Sequence, residues 1–161
     1  MRMVVTGDTH LKKAEKLPAR LTEACSAADR IIHTGDWQSV DVLDELSQYG
    51  EVTGVYGNVD DEAIRGRLPG TQLLDIGKFR IGVVHGHGAK KTTEKRAIEA
   101  FTEDHPDVII FGHSHIPMIR YFKKQLLVNP GSPTAKRALP YYSFAILNLT
   151  EVIHAELKFF D

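Results

Sequence analysis

A single cysteine, Cys25, leaves the chain no way to close an internal disulfide, which fits a reducing compartment. No apolar run approaches the roughly 18 residues that a membrane span needs. The opening Met1-Arg2-Met3-Val4-Val5 is shorter than the apolar core of about 7–15 residues in a secretion signal. A cytoplasmic location and no membrane partner are therefore expected. An excess of charge of one sign is lacking too: 20 Lys and Arg stand against 21 Asp and Glu, a formal charge of −1. Composition thus supplies no pull toward nucleic acid. Low-complexity stretches, charge blocks and repeats of fixed period are also missing.

What is present is ordinary globular material with one oddity. With 42% apolar and 25% charged residues, the span 1–161 is expected to form one domain. The oddity is eight histidines. Five of them, His10, His85, His87, His113 and His115, fall in short glycine-containing clusters. Imidazole is the commonest metal ligand, and glycine permits the tight backbone that lets side chains converge.

Short apolar runs alternate with amphipathic stretches, which predicts strands interleaved with helices. Strands are expected at Met3–Val5, Ile31-Ile32, Val52–Val55, Gln72–Ile76, Phe79–Val84 and Val108–Phe111. Four more are expected toward the end, at Met118–Phe122, Gln125–Val128, Tyr142–Leu149 and Val152–Phe159. Gly77-Lys78 reads as a hairpin turn. Helices are expected from Pro18, taken as the first helical residue, from Ser39 as N-cap, and from about Thr93. The segment after Asn58 reads as polar connection. Cys25, on the apolar stripe of the first helix, reads as a small core residue.

Five of the apolar strands run into a glycine or histidine with a ligand-type side chain beside it. The crevice beyond the carboxyl ends of strands is where open α/β sheets bind ligands. Strand-end loops can therefore gather Asp8, His10, Asp36, Asn58, His85, His113 and His115, although these lie far apart in sequence. Asp8 and His10 are two apart, a spacing that puts both on one side of an extended loop; the competing reading is a turn aspartate beside a surface histidine. In Gly112-His113-Ser114-His115 the same offset keeps two imidazoles together. A purely structural use of that pair would need two separate hydrogen-bond partners.

Two carboxylates, one amide and four imidazoles are too few for two closed sites but suit two ions sharing a carboxylate. Mixed nitrogen and oxygen donors without thiolate favour Mn, Fe, Zn, Ni or Co over Ca or Mg. Such ions about 3.5–4 Å apart clamp the attacking and leaving oxygens of an in-line displacement. Against two carboxylates and a bridging hydroxide, two dications leave a small net positive charge, suited to a monoanionic diester.

Taken in order, Gly7-Asp8-Thr9-His10, Gly35-Asp36, Gly57-Asn58, His85 and Gly112-His113-Ser114-His115 resemble the calcineurin-like metallophosphoesterase family, in particular its compact bacterial and archaeal phosphodiesterase branch. Asn129-Pro130-Gly131-Ser132 resembles a structural loop of that branch. The resemblance implies a four-layer α/β/β/α sandwich of two mixed sheets flanked by helices. It implies two divalent metal ions per chain, manganese first, with Asp8, His10 and His115 on one. Asn58, His85 and His113 would hold the other, Asp36 would bridge, and a metal-bridging hydroxide would attack phosphorus in a small phosphate-ester substrate. It leaves a homodimer or homotetramer open.

One departure stands out. Many members of the family carry a proton-donating histidine where this chain has Val59, which argues against a vigorous monoesterase. His87 reads as a replacement donor or substrate contact, with a role behind the ligands as the alternative. His33 reads as orienting or packing. Trp37 either borders a substrate pocket or packs, and Lys90-Lys91 either contacts substrate or is a solvated helix start. The rival function is a non-catalytic protein-interaction scaffold on the same fold, as in the retromer subunit that resembles this branch.

Overall fold

The computed structural model describes residues 1–12 and 15–161. In chain order the elements are β1 (Arg2–Thr6), α1 (Ala19–Ser26), β2 (Arg30–His33), α2 (Val40–Leu46), β3 (Glu51–Gly54), α3 (Glu62–Arg65) and β4 (Thr71–Ile76). These are followed by β5 (Phe79–Val84), α4 (Thr93–Glu99), β6 (Val108–Phe111), β7 (Met118–Phe122), β8 (Gln125–Asn129), β9 (Tyr142–Leu149) and β10 (Ile153–Phe160). Every expected strand is present, and Gly77, at φ 60°, sits in the two-residue turn that sets Ile76 opposite Phe79.

The strands form two mixed five-stranded sheets, ordered β10-β9-β1-β2-β3 and β4-β5-β6-β8-β7. In the first, β1 pairs parallel with β2 and antiparallel with β9. In the second, β6 lies parallel between β5 and β8. The pattern of burial explains the layers. Val5, Ile32, Val83, Ile110, Val128 and Leu147 meet in the core between the sheets. Residues of opposite parity in the same strands, such as Val4 and Ile31, pack outward against Leu21, Cys25, Val42 and Leu46 of α1 and α2. On the far side, Ile109, Phe111 and Leu127 cover Ala97 of α4 and Phe101 just after it. The result is a four-layer α/β/β/α sandwich. β6 is buried along its whole length because both of its faces are covered, and each buried Ile, Val or Leu there contributes about 1.5–3 kcal/mol.

Helix ends follow local chemistry. Ser39 Oγ accepts from Asp41 N–H at the start of α2, and Thr92 Oγ1 accepts from Lys95 N–H at the start of α4. Pro18 is the N-cap of α1 rather than its first helical residue; its ψ of 139° is extended. The expected polar connection after Asn58 contains α3, capped by Asp61, which accepts from Ala63 and Ile64 N–H. Four residues are too short a span to show a helical period.

Among the described residues no helix is long and apolar enough to cross a membrane.

Candidate metal centre

The loops that leave β1, β2, β3, β5 and β6 at their carboxyl ends deliver the candidate side chains to one end of the sandwich. The two sheets hand over their loops by backbone bonds that continue the strand pairing: Asp8 N–H donates to Gly35 O, His10 N–H to Asp36 O, and Gly112 N–H to His85 O. Glycine precedes Asp8, Asp36, Asn58 and His113 because the loops approach too closely there for a side chain. A Cβ on Gly112 would stand 2.8 Å from Asp8 Oδ2, and one on Gly57 would collide with the Asp36 carboxylate.

Two groups result, each with its ligand atoms within 4.8 Å of one another: Asp8, His10 and His115, and beside them Asp36, His85 and His113. Asp36 stands between them, its Oδ2 3.6 Å from His10 Nε2 and 3.3 Å from His85 Nε2. Asn58 Oδ1 lies 3.1 Å from His85 Nε2. Asp8, His10, Asp36, Asn58, His85, His113 and His115 thus lie together at this end of the sandwich.

The route differs from the expected one. Asp8, His10, Asp36, His113 and His115 all have positive φ, between 47° and 66°. Side-chain alternation along an extended loop is therefore not what aims them. Asp8 and His10 share a group, whereas His113 and His115 fall in adjacent groups. Left-handed backbone at non-glycine residues costs energy and persists where the surroundings impose it.

The hydrogen bonds leave a surplus of acceptors. His115 Nδ1 lies 2.5 Å from Ala135 O and His85 Nδ1 lies 2.8 Å from Thr34 O. A carbonyl only accepts, so both rings carry a proton on Nδ1 and turn Nε2 inward. His115 Nε2 then faces His10 Nε2 at 3.2 Å, and His85 Nε2 faces Asn58 Oδ1 and Asp36 Oδ2. Asp8 Oδ2 accepts from His113 N–H, while its buried Oδ1 has no hydrogen-bond partner among the described residues. Converging lone pairs and an orphaned carboxylate oxygen are unfavourable unless a cation lies among them. The donor set thus fits two divalent ions.

Protonation responds to the same crowding. Burial pushes the Asp8 carboxyl up to about 7, with the Asp36 charge adding to the rise and His85 opposing it. Burial also works against the Asp36 carboxylate, but the hydrogen bond and charge of His85 and the Val59 N–H outweigh it and hold Asp36 at about 2. The same balance applies to His85, where burial disfavours the imidazolium but Asp36 and Asp8 overcome it and raise the pKa. A cation between His85 Nε2 and Asp36 Oδ2 would compete with a proton for the same place. Burial lowers His113 and His115 to about 4, leaving both neutral at pH 7.

His87 stands outside both groups, its ring centroid 5.4 Å from His85 and 6.4 Å from His113. His33 orients and packs: it is buried, accepts from Gly35 N–H at Nδ1, and stacks at 3.6 Å on Trp37. Trp37 is buried as well and donates from Nε1 to Val55 O, so it is a packing residue. Lys91 pairs with Glu99.

Asp60 supports the centre without having been singled out from the motifs. Asp60, 4% exposed, accepts from Gly57 N–H at 2.7 Å, Asp36 N–H at 3.0 Å and Gln38 N–H at 2.8 Å. One carboxylate thus ties the Asp36 loop to the Asn58 loop. The Asn129–Ser132 loop does the same on the other side. Ser132 donates to Asp8 O, and Asn129 donates to Gly112 O and Ser114 Oγ.

A face-to-face pair of mixed sheets, with imidazoles and carboxylates gathered at the strand ends, is the layout of a metal-dependent phosphoesterase. Residues 1–152 match the Calcineurin-like phosphoesterase superfamily domain, and the chain belongs to that family. It is 35% identical over 159 residues to a probable metallophosphoesterase of Methanocaldococcus jannaschii, covering 98% of this chain and 80% of that one. Vps29 of Entamoeba histolytica, solved in complex with zinc, has the same fold with a TM-score of 0.79 at 22% identity over 100% of both chains. An archaeal protein characterised as a novel phosphodiesterase has it with a TM-score of 0.76 at 20% identity, covering 99% of this chain and 100% of that one.

Proposed function

We propose that this chain is a phosphodiesterase working with two divalent ions, manganese first among the candidates. Asp8, His10 and His115 hold one ion, Asn58, His85 and His113 hold the other, and Asp36 is shared. The observation that carries the reading is the inward convergence of lone pairs, with Asp8 Oδ1 orphaned at its centre. Two such ions, when bound, supply Lewis acidity toward a phosphoryl oxygen and make a water acidic enough to serve as nucleophile.

The protein's own part is placement. Val59 N–H donates to Asp36 Oδ1 and His113 N–H to Asp8 Oδ2, so each carboxylate is held by one oxygen and offers the other. The carbonyls of Thr34 and Ala135 fix the ring planes of His85 and His115. Val59, exposed at the mouth, cannot give a proton to a leaving oxygen. That favours diesters, with His87 the imidazole left to contact substrate. A non-catalytic interaction scaffold remains the competing reading, supported by the likeness to Vps29; the full set of seven donor residues favours hydrolysis. The deciding assay is hydrolysis of bis-p-nitrophenyl phosphate with Mn²⁺ and with excess chelator. Turnover that vanishes with chelation is expected, and no metal-dependent turnover would leave the scaffold.

A further inference from the structure

Three arginines, Arg65, Arg96 and Arg137, lie close enough to the candidate centre for their charge to act on its side chains. Two are fully committed to holding loops. Arg65 donates from Nε to Asp60 O and from a terminal nitrogen to Gly57 O, and its guanidinium lies 4.6 Å above the Tyr56 ring. Arg96 donates to Gly86 O, Lys91 O and Thr93 Oγ1. Both already spend guanidinium donors on backbone carbonyls of the loops.

Arg137 differs in having no such partner. It is exposed, and its side chain makes no hydrogen bond, ion pair or ring contact among the described residues. Its neighbour Lys136 is occupied by Pro140 O and the Tyr142 ring, 4.8 Å away. The backbone that carries Arg137 is nevertheless tied to the centre. Ser132 donates to Asp8 O, Thr134 Oγ1 donates to Thr9 O at 2.5 Å, and Ala135 O receives the His115 ring proton. Arg137 itself is in the left-handed region, φ 54°, a conformation that favours glycine and is retained where surroundings impose it. Its positive charge acts on Asp8, His10 and His115 together.

We infer that Arg137 is a substrate-binding residue of this centre, its guanidinium gripping a non-bridging oxygen of the ester phosphate. The inference rests on the metallophosphoesterase reading given above. The chemistry suits the group: a planar fork of N–H donors matches phosphate oxygens, and the anchored loop confines the ordering cost of binding to the arginine side chain itself. Because the contact is to a phosphoryl oxygen present in substrate and product alike, it strengthens binding more than it speeds the chemical step.

The test uses the Mn²⁺-loaded protein, with Arg137→Ala and Arg137→Lys beside the parent. Calorimetric binding of inorganic phosphate is read independently of turnover. Loss of one charge-assisted hydrogen bond predicts roughly 10- to 100-fold weaker phosphate binding in Arg137→Ala. Arg137→Lys should fall between the two, since it keeps the charge and loses the fork. With bis-p-nitrophenyl phosphate, KM should rise by a similar factor while kcat stays within about threefold. Mn²⁺ stoichiometry and melting temperature should match the parent. Phosphate affinity unchanged in Arg137→Ala, no phosphate binding by the parent, or loss of Mn²⁺ from the variant would each overturn the inference. A parent that binds phosphate through Arg137 yet hydrolyses no diester would sink the phosphodiesterase reading and leave this one standing.

Discussion

Asp8 gives the centre a measurable thermodynamic signature in the absence of metal. Its carboxyl is fully buried, with one oxygen on His113 N–H and the other without a partner. Burial raises it from 3.8 to about 7. At about 1.4 kcal/mol for each pH unit, that gap corresponds to about 4 kcal/mol of destabilisation once the group is ionised in the folded chain. Between pH 4 and pH 7 the native state holds a proton that the unfolded state has released. Stability from this group is therefore fully present below about pH 4, falls as pH rises, and levels off above pH 7. Asp8→Asn removes the titration but keeps the shape. Urea denaturation in EDTA at pH 5, 6, 7 and 8 should show the variant gaining on the parent by about 1.4 kcal/mol per pH unit up to pH 7, then by a constant amount. Taking the difference between the two proteins cancels the groups on which Asp8 does not act; His85, whose imidazolium Asp8 favours, stays in the difference. Excess Mn²⁺ should raise the parent's midpoint more than the variant's, which keeps the ligands of the second ion. Denaturation curves separated by the same interval at pH 5 and pH 7 would refute the argument.

Asp60→Asn should weaken Mn²⁺ binding and cost about 1–3 kcal/mol in chelated buffer, because the three N–H groups that it receives cannot all be satisfied by an amide; equal metal affinity in calorimetry would count against its role in aligning Asp36 and Asn58. Val59→His should raise hydrolysis of p-nitrophenyl phosphate relative to the diester by supplying a proton donor, and an unchanged ratio would mean that the position does not reach the leaving oxygen. The Cys25 thiol, pushed by burial up to about 12, should react with iodoacetamide at pH 8 about 10³-fold or more slower in the folded protein than in denaturant. Labelling at similar rates in both states would show that the α1 face opens readily.

The chemistry of the site is written in short local patterns. Gly7-Asp8-Thr9-His10 and Gly112-His113-Ser114-His115 follow apolar runs whose length and β-branching mark buried strands, so the order of strands and helices and the identity of the metal-type donors can be read from the chain. The distinction between Asp60 and Asp61 cannot. Adjacent in sequence, one turns inward to three backbone N–H groups and the other caps α3.

What residue order determined is which side chains stand at strand ends and that they suit nitrogen- and oxygen-ligated metal. Tertiary structure decided that β9 lies beside β1 and β8 beside β6, that His113 and His115 part into neighbouring groups, and that Arg137 has no partner among the described residues while Lys136 is engaged. The reason is one of range. Periodicity and turn propensity act over a few neighbouring residues, whereas a left-handed backbone, an orphaned buried oxygen and an uncommitted cation exist only once segments as distant as Asp8 and Ser132 are pressed together.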